Sequence, residues 1–278
     1  MTSLLKRYLA GEREQVWREI DVGHLPLAEV YEKNYDRFVS GDEIDEVMRE
    51  TFERVSRNVD RLIERLRKLD YRFESETSEY GEPEPPRRRY GPEVFEAIGS
   101  ISKTFEVMRA FEDGQRPFPR SIELFAEIVG AVDLTQASVA DNQMHPVLAT
   151  LGDFDPLVVD VEHFTQEAQE DHVVLPTPVG GMGMIAVFAP SFEHKANVSG
   201  AENPHFFLPT DRNDPIVIAE NIQLPFINYL RRMFERGGFY GVPRKTRSTE
   251  IPLREIEPGM FLPDHPVFAD LAADLELF

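Results

Sequence analysis

Three observations predict an α+β fold, a twisted, mainly antiparallel sheet flanked by helices and preceded by an N-terminal helical region. Apolar residues recur at helical spacing through the first half of the chain. Beyond Asp133 the apolar runs become short and are separated by Pro, Gly or Asn. No long helical pattern intervenes between most of those runs, so turns rather than strand–helix–strand crossovers are expected to join them.

In the N-terminal helical region, residues 1–73, Leu4, Leu5, Tyr8 and Leu9 begin an apolar stripe that Val16, Trp17 and Ile20 continue past Gly11. A longer helix follows. Ser40 and Glu43 are spaced as a capping box, and Ile44, Val47, Met48, Thr51, Val55, Val59, Leu62, Ile63, Leu66 and Leu69 recur on one face. Acids crowd its start and Arg65, Arg67 and Lys68 its end, the order that the helix dipole favours.

Residues 74–91 change character. Three prolines, two glycines and alternating charge predict an exposed linker that offers Arg87, Arg88 and Arg89 to trypsin. The α+β domain is expected over 92–278. Pro92 suits the first position of a helix with Phe95, Ile98, Ile101, Phe105 and Met108 on one face. Pro119 opens a second helix, with Ile122, Phe125, Ala126 and Val129 inward and Gly130 closing it.

DPLVVD (155–160), HVVLPTP (172–178), MIAVFAP (184–190), HKANVSG (194–200) and PHFFLPTD (204–211) read as strands. PVGGMGM (178–184) has no lysine of a phosphate-binding loop and predicts a hairpin turn. A helix returns over Leu224–Arg236, with Phe226, Tyr229, Leu230 and Met233 inward and Gly237-Gly238 as its stop. Asp264 or His265 is expected to cap a last helix carrying Phe268, Leu271 and Leu275.

Composition narrows the function. A net charge of −20 argues against nucleic acid and anionic membrane as direct ligands, and favours encounter with basic partners. With no cysteine there is no disulfide, thiolate nucleophile or thiolate metal site. No apolar run reaches the length of a membrane span, and the first residues lack a signal-peptide core, so a cytoplasmic location is expected.

The strongest local signal is a charge asymmetry. Residues 121–194 contain no Lys or Arg, where the average for the chain would place roughly eight. The acids there, Asp141, Asp153, Asp155, Asp160, Glu162, Glu170 and Asp171, are the candidate partner-binding residues. Read as strand residues, Asp153 and Asp155 share a side, as do Asp160 and Glu162. Such a set could receive the lysines and arginines of a basic protein, hold Ca²⁺ or Mg²⁺, or be a solvated face with no specific task. The calcium-loop motif is absent.

His145, His163, His172 and His194 lack zinc-ligand spacing. His194, Lys195, Asn197 and Ser199 form a polar strip that could recognise a ligand. Equally, Lys195 could be a counter-ion to the acids. Arg231, Arg232, Arg236, Arg244, Lys245, Arg247 and Arg254 make a late basic cluster, which allows self-association through opposite patches or is simply an exposed basic face. No catalytic residue, metal ligand set or cofactor is expected.

The segment PFPRSIELFAEIVG carries a resemblance. Phe118-Pro119, Ser121, Phe125 and Gly130 stand where the SUKH superfamily of bacterial immunity proteins and eukaryotic scaffold relatives has its Pro-opened, Gly-closed helix before a sheet. DPLVVD, HKANVSG, YLRRMF and RGGF look like segments of an uncharacterised bacterial branch of it. The resemblance covers roughly residues 95–239, and the N-terminal helical region departs from the short members. It implies an α+β fold and a non-catalytic protein-binding role. The function expected is therefore an immunity protein that neutralises a basic toxin, such as a nuclease. A scaffold or antiphage-defence component and a hydrolase using Asp and His are the alternatives.

Overall fold

The computed structural model describes residues 3–21, 41–76, 83–109, 118–137, 155–162, 174–176, 182–187, 204–208, 213–219, 222–240 and 266–278. The architecture is α+β. Seven helices are described: α1 (Leu4–Leu9), α2 (Arg13–Asp21), α3 (Gly41–Lys68), α4 (Pro92–Arg109), α5 (Arg120–Ile128), α6 (Phe226–Phe234) and α7 (Pro266–Ala272).

Ten strands accompany them. These are β1 (Arg87–Arg88), β2 (Ala131–Asp133), β3 (Asp155–Pro156), β4 (Val158–Val159), β5 (Val174–Pro176), β6 (Met182–Val187), β7 (His205–Leu208), β8 (Ile216–Ala219), β9 (Ile222–Pro225) and β10 (Phe239–Tyr240). All their pairings are antiparallel, in sheets of order β1-β2-β4, β10-β3 and β5-β6-β7-β8-β9. The five-stranded sheet is a meander of sequence neighbours, as expected from strands joined by turns. The DPLVVD run joins the two small sheets. Pro156 lies opposite Phe239, and Val159 lies opposite Val132. Between them Leu157 donates its N–H to Gly238 O at 2.7 Å and accepts from Leu134 N at 3.0 Å.

The core is organised around α3, whose buried face includes Val47, Met48, Phe52, Val55, Val59, Leu62 and Leu66. From Met48 the steps are i+4 and i+3 in alternation, and Val47 widens the same stripe. An aromatic cluster ties the stripe to the other layers. Phe52 meets Phe125 of α5 at 5.9 Å between ring centroids, and Phe125 meets Phe226 of α6 at 5.4 Å. Helices from the N-terminal region and elements of 92–278 thus contribute to one buried core.

α1 and α2 are broken at Gly11, whose φ of +104° lies in the left-handed region open to glycine. Tyr8 and Leu4 face inward, and Tyr8 Oη lies 2.9 Å from Thr51 Oγ1 of α3. Leu9 of the expected stripe is exposed instead. α4 also rotates relative to expectation. Val94, Ile98 and Ile101 are buried, while Phe95 is 39% exposed and rests its ring edge against Tyr90, 6.5 Å between centroids. The expected capping serine Ser40, the side chains of Phe105 and Met108, the cap at Asp264 or His265, and HKANVSG lie outside the described residues.

The arginines of α3 do more than answer its dipole. Arg57 forms a two-point pair with Glu276 (2.9 and 2.8 Å), and Arg54 donates to Leu277 O at 3.0 Å. Arg65 donates to Leu271 O at 2.7 Å. Buried Asn58 completes the clamp, donating to Glu276 O at 2.9 Å and accepting from Glu276 N at 2.8 Å. A row of side chains at successive turns of α3 therefore satisfies the free carbonyls at the end of α7 and beyond it.

Candidate functional site

The acids singled out by sequence divide sharply. Asp141, Asp153, Glu170 and Asp171 lie outside the described residues, as do His145, His163, His172, His194, Lys195, Asn197 and Ser199. Asp155 opens β3, its backbone in register with Tyr240. Asp160 and Glu162 are described in full, and each is engaged by a cation.

That cation is Arg88. It arrives from β1, in the segment that composition marks as an exposed linker. Its Nη2 donates to Asp160 Oδ2 at 2.7 Å, its Nη1 to Glu162 Oε2, and its Nε lies 3.2 Å from Glu84 Oε2. Tyr90, two residues on, donates its hydroxyl to Asp160 Oδ1 at 3.0 Å and accepts from Val161 N at 2.5 Å. Asp160 Oδ1 also accepts from Glu162 N at 2.9 Å. A strand reading of 160–162 is corrected here. The strand ends at Val159, and a helical turn opens at Val161 with Asp160 capping it, the role that a short carboxylate fills well.

Electrostatics and burial agree on the cluster. Burial opposes the charge of Arg88, yet the bonds to Glu162 and Asp160 outweigh it and hold the guanidinium more firmly protonated than usual. Burial, with the neighbouring Asp160 charge next, pushes the Tyr90 hydroxyl well above its ordinary range, so it stays a neutral donor. Three carboxylates share one part-buried guanidinium, which satisfies its donors and leaves the cluster net negative. Asp160 and Glu162 are counter-ions within the fold.

Arg87 and Arg89 are equally engaged. Arg87 passes under α3 and α5, donating to Val129 O at 3.0 Å, Ser56 O at 3.0 Å and Ser56 Oγ at 2.6 Å, and pairing with Asp60 at 2.5 Å. Arg89 donates to Ile128 O. Sequence reasoning missed these roles because the basic triplet sits among prolines. The available signal was the triplet itself, RRRY directly before a helix-opening Gly-Pro, with cations where an adjoining helix leaves carbonyls free.

Among the described residues no group of three or more His, Cys, Asp or Glu side chains is placed to hold a metal ion. No described helix is long and apolar enough to cross a membrane. No protein-family model, curated protein or solved structure matches the chain.

Proposed function

We propose that the chain is a non-catalytic protein-binding module that engages a basic partner through its acidic surface. The SUKH resemblance makes that partner a toxin, and the action an occlusion of basic active-site residues. The observation that carries the reading is the fate of the cations. Arg49 pairs with Glu127, Arg57 with Glu276, Arg88 with Asp160 and Glu162, and Arg120 with Asp45 and Glu123. Cations already paired with acids, some at the surface and some partly buried, leave the surplus of acids to set the outward field. Pairing all 30 Lys and Arg one-to-one still leaves a charge of −20 uncompensated. Such a field speeds encounter with a positive surface and fades as salt rises. Of the acids expected to dock, Asp160 and Glu162 already hold Arg88, so the reading rests chiefly on Asp141, Asp153, Asp155, Glu170 and Asp171.

The test is capture from the host cell at low salt, followed by a NaCl gradient and mass spectrometry. Basic proteins should elute as screening grows, and the purified chain should inhibit the enzymatic activity of the main one. Retention of acidic partners through the gradient would contradict the charge mechanism. Binding without inhibition would reject the immunity role and favour a scaffold.

A further inference from the structure

The clamp on residues 273–278 does more than close the end of α7. Asp274, at a φ of +56°, turns the chain out of the helix, and residues 275–278 then run along α3 without helix or strand. Their main-chain atoms are therefore free to be met by side chains. α3 meets them in order, at successive turns and in the reverse direction. Arg61 donates to Asp274 O at 3.0 Å, Asn58 bonds both main-chain atoms of Glu276, and Arg54 donates to Leu277 O. From α6, Arg231 donates Nε to Phe278 O at 2.5 Å.

Two side chains of the segment are recognised as well. The Glu276 carboxylate lies between Arg57 and Arg61, at 2.8 and 3.2 Å, and the Arg57 bond holds it below the usual carboxylate range. Phe278 is buried, its ring edge-on to Phe234 at 5.5 Å between centroids, whereas Leu277 between the two is 73% exposed. Main-chain bonds give affinity for any extended chain, while the acid and the ring two residues later give selectivity. The contact is open to water. Arg57 and Arg61 keep 45% and 41% of their side chains exposed, and a recess of about 560 Å³, lined by Gly11, Arg13, Phe234 and Leu275, adjoins Phe278. Ion pairs at such a wet surface are exchanged for hydration at little cost.

We propose that this face of α3 is a docking groove for an extended partner segment with a carboxylate two residues before an aromatic ring, and that residues 273–278 are a latch that fills it in cis. It is a second docking site, opposite in sign to the acidic surface and independent of it. Arg57 and Arg61 offer an acid a positive seat on a chain of net charge −20, so an acidic segment is drawn here and repelled elsewhere. The competing segment must displace the latch, so its apparent affinity falls with the fraction of molecules in which the groove is open.

A fluorescently labelled peptide with the sequence of residues 273–278 is titrated into the full-length protein and followed by anisotropy. Phe278→Ala removes the ring of the latch and leaves the groove intact, so it should bind the peptide at least about tenfold more tightly than the wild type does. Glu276→Lys sets a cation against Arg57 and Arg61 and should open the groove likewise; it decides the matter if Phe278→Ala does not fold. With either opened variant, a peptide carrying glutamine in place of its glutamate should bind at least about tenfold more weakly. A flat titration of a folded opened variant overturns the proposal, as do equal affinities in the wild type and the opened variant, or indifference to the glutamine. An opened variant that dimerises on a sizing column and then excludes the peptide overturns the partner segment and gives the groove to a second copy of the chain.

Discussion

Replacing Gly130 by alanine should destabilise the protein by about 3 kcal/mol and lower its melting temperature by roughly 6–10 °C. Two costs combine. Gly130 holds φ at +87°, where an L side chain adds about 1–2 kcal/mol. A Cβ there would also fall 2.2 Å from Arg88 O, a backbone atom that cannot swing aside. The position has to satisfy both demands because Gly130 does two jobs. It ends α5 by donating to Phe125 O at 3.0 Å, and it lets β1 lie directly against the turn into β2. Thermal or urea unfolding of Gly130→Ala measures the effect. A variant as stable as wild type would mean that β1 does not approach the turn this closely.

Arg87→Met should cost about 3 kcal/mol, the second of the large effects. Methionine replaces the apolar stem and removes the donors. The Arg87 side chain is 11% exposed, and it bonds Val129 O and Ser56 O, which belong to different helical layers. Losing it strips the buried carbonyls at the end of α5 of a donor and disconnects β1 from α3. The partner Asp60 is mostly exposed and should readily return to water. Asp60→Asn is therefore expected to shift stability by less than about 1 kcal/mol. Urea unfolding of both variants separates the carbonyl bonds from the ion pair. Equal losses would show that the surface pair, not the buried bonds, holds the strand.

These two sites also mark where the sequence could and could not be read. α3, α5 and α6 were legible because their buried residues repeat at short range, and because Gly130 and Gly237 stand just past the ends of α5 and α6. The meander was legible in β5, β6 and β7, but β8 and β9 were not read as strands, and Leu224, expected in the helix, lies in β9, which runs directly into α6 at Phe226. β1 was not legible. A two-residue strand of charged residues carries no alternation, and its partner β2 lies more than forty residues away. The site fared likewise. The acids at Asp160 and Glu162 were visible, but their pairing depends on Arg88, more than seventy residues earlier. One-dimensional charge runs register which sign is missing locally. They do not register what the fold brings back.

The most direct measurement is a double-mutant cycle on the acidic cluster, read as unfolding free energy. Asp160→Asn with Glu162→Gln is placed in the wild type and in an Arg88→Met background. If the carboxylates are counter-ions of Arg88, the pair of changes should cost about 2 kcal/mol in the wild type and much less once the cation is gone, because they leave the part-buried guanidinium only Glu84 as a charged partner. A melting temperature unchanged or raised by the two substitutions in the wild type would contradict this, and would return Asp160 and Glu162 to the surface that awaits a basic partner.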